Sequence, residues 1–309
     1  MTIYVISVGI SIWDNLRDRR CLEGDTARAV ARAKPWDLLD QNTERARHWL
    51  CGALAPQGSG ARDADRACKL AEITERITPH CWPARVSAEL DTFNRDPNAG
   101  RPLPTTDLAV LVSSDTATGL AAGLWNALAL VGGDPNRVRY LDDPSGPAGG
   151  LLGHALLVRV PGMDTGTERG FRQAMRGLGS LGHSLRQDKQ LREQPFRFYL
   201  SGGFKAAIPY LIGLAEGLRS LEDAGEVDAF VLHELTESGP IRLPLRRIAT
   251  KLVKDELDGF DASGIRTQAL EKSFLEGYAY EKDGSKWRLT PFGEGLRTLF
   301  GMSPEGVGG

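Results

Sequence analysis

Ile3-Tyr4-Val5-Ile6-Ser7-Val8, running directly into Gly9-Ile10-Ser11, is an apolar, β-branched stretch that stops at a turn of small residues. That is the pattern of a buried strand. Runs of the same kind recur at 108–113 (LAVLVS), 137–141 (RVRYL), 155–160 (ALLVRV), 197–201 (RFYLS) and 227–232 (VDAFVL), and helical spacing fills intervals at 118–131, 170–191 and 206–221. Near-continuous apolar strands alternating with helices are the sequence form of a parallel sheet covered on both faces. Residues 1–240 therefore read as one open, mainly parallel α/β domain.

The least regular part of that domain is 13–104. It carries helical patterns at 43–54, 63–77 and 84–93, with a loop-like Pro56-Gln57-Gly58-Ser59-Gly60 between the first two, and reads as a helical excursion between the first two strands. After the last strand, Glu237-Ser238-Gly239-Pro240 breaks the pattern. Residues 241–309 have another character: helical spacing at 246–257 and 267–276, alternation at 278–280 and 286–290 around the turn signal Lys282-Asp283-Gly284-Ser285, and a closing helix at 292–300 behind Pro291. Helices, a two-stranded wing and a last helix make a winged-helix order, so 241–309 is expected to be a winged-helix domain. With 11 Lys/Arg against 10 Asp/Glu, it fits dimerisation or lid duty better than a grip on DNA.

Composition narrows the function. A chain of 309 residues holds about two domains' worth of protein. Its 41% apolar and 25% charged residues are ordinary for a globular protein. Lys plus Arg is 38 against 40 acidic residues, a formal charge of -2, which argues against binding nucleic acid by coating its phosphates. No apolar run is long enough to span a bilayer, and the first residues lack a signal peptide's basic start and cleavage site, so no membrane association is expected. Cys21, Cys51, Cys68 and Cys81 form no CxxC pair and fit reduced thiols in a cytoplasm. No metal site and no cofactor are expected.

In open α/β sheets, ligands sit outside the carboxyl ends of the strands. Three such ends carry unusual turns: Ser7-Val8-Gly9-Ile10-Ser11, Ser113-Ser114-Asp115-Thr116 and Ser201-Gly202-Gly203-Phe204-Lys205. Small residues there make tight strand-to-helix turns. Equally, hydroxyls and backbone amides leading into helices are equipment for holding phosphate, and three such turns with a lysine favour that second reading. Lys205, at a helix start, opposes the helix dipole unless an anion is near. Gly177-Leu178-Gly179-Ser180-Leu181-Gly182 matches GxGxxG but follows no strand, so it is not a dinucleotide site. Asp142-Asp143-Pro144 reads as an acidic turn after a strand.

SVGIS at 7–11, SAEL at 87–90, SSDTATG at 113–119 and above all LSGGFKAAIPYL at 200–211 resemble, in order, the CRISPR-associated Rossmann fold family, the sensor domains for cyclic oligoadenylates in type III CRISPR systems. The trailing segment resembles the subgroup that lacks a separate nuclease domain, some of whose members are ring nucleases that cut cyclic tetra-adenylate and end antiviral signalling. The resemblance implies a Rossmann-like domain at 1–240, a winged helix at 241–309, and a homodimer around a cyclic oligoadenylate, most readily cyclic tetra-adenylate. It carries over catalytic roles to Ser11, on ribose or phosphate, and Lys205, on the scissile phosphate. Ser7, Gly9, Ile10, Ser114, Asp115, Thr116, Gly202, Gly203 and Phe204 are the expected ligand-binding residues around them. Ile10 stands where the family commonly has threonine, which removes one hydroxyl. The alternative expectation is a non-catalytic sensor whose winged helix regulates transcription or a partner.

Overall fold

The computed structural model describes residues 1–17, 24–34, 37–54, 63–78, 86–147, 150–163, 166–203, 207–222, 225–232, 239–270 and 273–302. The expected loop at 56–60, the break at 237–238, Cys21 and Cys81 lie outside the described residues. The six strands expected from the apolar runs are present: β1 (Ile3–Ser7), β2 (Leu108–Ser114), β3 (Val138–Leu141), β4 (Ala155–Val160), β5 (Phe196–Tyr199) and β6 (Val227–Val231). They pair in parallel, and a seventh strand, β7 (Ile241–Leu243), closes one edge antiparallel to β6. The order is β3-β4-β2-β1-β5-β6-β7.

Alternate residues of each strand feed two separate cores, as a pleated sheet with both faces covered requires. Tyr4 and Ile6 join Ala109, Leu111 and Leu157 on one face, covered by α1 (Ser11–Arg17), α3 (Thr43–Leu54), α4 (Asp63–Arg76), α5 (Ala88–Arg95) and α6 (Ala117–Leu130); α2 (Gly24–Ala33) lies between α1 and α3 in the chain. Ile3 and Val5 join Val110, Val112, Val158 and Phe198 on the other, under α7 (Glu168–Gln187) and α8 (Ile208–Ser220). The helical excursion between β1 and β2 is thus one cover of the sheet, and it contains α1 and α2 beyond the three helices expected. Side-chain caps set several helix starts: Ser87, Thr116 and Thr167 each accept a backbone N–H from the first turn of α5, α6 and α7.

The chain after β7 forms α9 (Thr250–Leu257), a three-stranded antiparallel sheet ordered β8 (Ile265–Arg266), β10 (Lys286–Leu289), β9 (Tyr280–Asp283), and α10 (Pro291–Leu299). The expected hairpin turn holds: Asp283 pairs with Lys286, and Gly284 takes φ +63°, open to glycine at little cost. The helix expected at 267–276 is absent from the described part of that stretch. The buried carboxylate of Glu256 on α9 accepts the backbone amides of Phe274 and Leu275 and the Tyr280 hydroxyl, so those amides are committed to a neighbouring element instead of an internal helical ladder.

This segment shares a core with the sheet. Leu257, Tyr280, Phe292, Leu296 and Leu299 belong to the same apolar cluster as α7 and α8. Glu216 of α8, buried, accepts the Arg246 guanidinium and backbone amide and the Tyr278 hydroxyl, tying the segment to the sheet's cover. Among the described residues no helix is long and apolar enough to cross a membrane.

Candidate functional site

The chain leaves β1 toward β2 on one side and leaves β5 toward β6 on the other, while β1 and β5 are neighbours. Such a reversal is a topological switch point, and ligands of open α/β sheets bind beyond the carboxyl ends of the strands that flank it. The turns that border it are Ser7–Ser11 and the one beginning at Ser201, two of the three singled out in the sequence.

These two turns touch backbone to backbone. A Cβ on Gly9 would lie 2.6 Å from the Gly203 nitrogen, and one on Gly203 would lie 3.1 Å from the Val8 carbonyl oxygen. Gly203 also takes φ +93°, where other residues are strained. Ser7, 1% exposed, donates its hydroxyl to the Gly202 carbonyl at 2.6 Å, so it fastens one turn to the other. The Gly9 amide donates to Glu89 Oε1. Ser7 and Gly9 are therefore occupied within the scaffold: the hydroxyl and the amide that the sequence offered to a ligand each already have a partner.

Beyond that seam the surface opens. Ile10 is 55% exposed and Ser11, the first residue of α1, is exposed as well. Helix α1 is held in place by Trp13, whose indole N–H donates to the Thr118 carbonyl, and by Asn15, whose amide donates to the Val86 carbonyl. Gly202 is buried against the Glu89 carboxyl, and a Cβ there would collide with it. Phe204 and Lys205 lie outside the described residues.

The third turn, after β2, is two places from β5 in the sheet and is internally bonded. Ser114 Oγ and Thr116 Oγ1 are 3.0 Å apart, and Thr116 caps α6 through the Gly119 amide. Asp115 faces Arg159 at 3.7 Å. Arg159 also reaches Asp142, which accepts hydrogen bonds from Arg47 Nε and Nη2 and from the Tyr140 hydroxyl. Against the upward push of burial, those hydrogen bonds and the Arg159 charge hold the Asp142 carboxyl at about 2. The acidic turn is thus a structural ion cluster at the ends of β3 and β4.

Glu89 is the residue that reading by residue type passed over, although the stretch SAEL containing it stood out. It is 2% exposed, and burial pushes its carboxyl above the usual range against the opposing pull of the Gly9 amide, its own amide and the Ser87 hydroxyl. Ser87 links the same corner to α6 by donating to Asn126 Oδ1 at 2.6 Å.

The doubly covered parallel sheet with a topological switch point between β1 and β5 defines an α/β protein of Rossmann-like architecture. No protein-family model matches the chain, and no curated protein matches it.

Proposed function

We propose that the protein is a ring nuclease that binds cyclic tetra-adenylate across a two-fold homodimer and cuts it to linear products ending in 2′,3′-cyclic phosphate. The observation that supports this most is the glycine seam at the switch point: Gly9 against Gly203, with exposed Ser11 just beyond it and Lys205 two positions past Gly203 in the sequence. A ribose 2′-hydroxyl can attack its own 3′-phosphate when held in line, and such positioning supplies roughly 7–11 kcal/mol in favourable cases. In this reading Ser11 fixes the ribose, while Lys205 and the Gly202 and Gly203 amides stabilise charge developing on the phosphoryl oxygens. Ser7, Gly9 and Thr116 shape the turns rather than touch the ring. A symmetric ring calls for the same groups from two subunits.

The second reading, a sensor that binds the ring without cutting it, draws on the segment after β7. Its order of helix, wing and helix reads as a reduced winged helix, and its core is continuous with α7 and α8, the packing that a sensor would need to carry a change from the sheet to it. With 267–276 not helical in its described part, the segment suits a lid or a dimer contact better than groove reading.

Cleavage rates under saturating ring separate the two. Lys205→Ala is expected to lower the rate by roughly 10²–10³-fold, the range for removing one preorganised charge-stabilising donor, and Ser11→Ala by a smaller factor. A wild-type protein that returns the ring intact while its DNA affinity changes supports the sensor and contradicts the enzyme.

A further inference from the structure

Glu89 stands in the wall between the two glycine turns. Its Oε1 accepts the Gly9 amide, the same carboxyl presses on Gly202, and its other oxygen, Oε2, is buried with no hydrogen-bond partner among the described residues. Among the described residues, few groups face it. From the β1 turn comes the Gly9 amide, from the β5 turn the Gly202 backbone, and from α5 its own amide and the Ser87 hydroxyl, whose proton goes to Asn126 of α6. Among the described residues no lysine, arginine or histidine acts on it. Lys205 lies outside them, and so enters the test below.

An ionised carboxylate removed from water needs several donors or a cation to be tolerated, and among the described residues this one has neither an ion pair nor a donor for Oε2. A neutral carboxyl keeps the Gly9 contact through its carbonyl oxygen and removes a negative charge from the edge of a site read as holding phosphates. We propose that Glu89 is a positioning residue acting as a neutral strut: it sets the spacing of the Gly9 and Gly202–Gly203 turns, and an anionic ligand occupies them only while Glu89 keeps its proton. The ligand half rests on the ring reading above; the strut half does not.

The test is the thermal unfolding midpoint of the full chain from pH 5 to 8, with and without cyclic tetra-adenylate, for wild type, Glu89→Gln, Glu89→Ala and Lys205→Ala. A carboxyl whose folded value is raised holds its proton better folded than unfolded. Its stabilising contribution is therefore complete below the unfolded value and is lost as pH rises through the folded one. Without ring, the wild-type midpoint is expected to fall relative to Glu89→Gln as pH rises, with Glu89→Ala below Glu89→Gln throughout because the Gly9 amide loses its acceptor. With ring, the midpoint gain of wild type shrinks with pH while that of Glu89→Gln stays level. Parallel wild-type and Gln curves without ring overturn the proposal. So does a wild type that instead weakens in acid relative to Gln and ceases to do so in Lys205→Ala, because that outcome gives Glu89 a charged partner. If the ring moves no midpoint at any pH, the ring reading and the ligand half fall together, and the unliganded curves alone decide the strut. If Glu89→Ala does not fold, the wild-type and Gln curves decide it.

Discussion

Ser7 and Ser11 are four positions apart, and the end of β1 separates their tasks. Ser7 points into the sheet and bonds the Gly202 carbonyl, whereas Ser11 heads α1 on the open side. A hydroxyl in a strand-end turn is therefore not by itself a ligand contact, and its exposure decides which it is. Asp142 makes the same point for charge. Its depressed carboxyl contributes stability that is complete above the ordinary value near 3.8 and is lost as pH falls through about 2. Acid unfolding should therefore show a component that Asp142→Asn removes, reduced by the solvent that reaches this half-buried cluster. An unchanged acid profile in that variant would deny the cluster its assigned role.

At the scale of elements, the glycines of 177–182 show why a motif needs its context. They lie within α7, and Gly179 backs onto the Gly295 carbonyl of α10 so closely that no Cβ fits. Gly179→Ala gains helix propensity of at most about 1 kcal/mol but forces two helix backbones apart. It should lower unfolding stability by about 1–3 kcal/mol net, measured by denaturant titration. Gly166→Ala, with no described residue within 4 Å of the added Cβ, is the control. Equal stability of the two variants would contradict the close packing of α7 on α10.

The strands that were legible in the sequence are the mainly apolar runs of the parallel sheet, broken by single residues such as Arg139, Arg159 and Asp228, and the β9–β10 hairpin marked by its turn. β7 and β8 were not, because three- and two-residue edge strands carry no period to read. The stretch at 267–276 has helical spacing, yet a buried carboxylate from α9 takes two of its amides, a tertiary contact that no local pattern announces. In the site, Gly9 and Gly203 were legible as turn glycines. The role of Glu89 was not, since it depends on α5 meeting a turn 80 residues earlier in the chain.

For the whole molecule, the sheet order puts the two glycine turns at one switch point, and the segment after β7 is built into the α7 and α8 cover of the sheet. A two-fold pairing that faces two such switch points toward each other would present a symmetric ring with Ser11 and Lys205 from both subunits. The measurement that tests this most directly is incubation of the full chain with cyclic tetra-adenylate, with and without EDTA, followed by mass analysis of the products. The ring nuclease reading predicts linear fragments ending in 2′,3′-cyclic phosphate, formed at the same rate in chelator. A ring recovered intact, or cleavage that stops in EDTA, would contradict it.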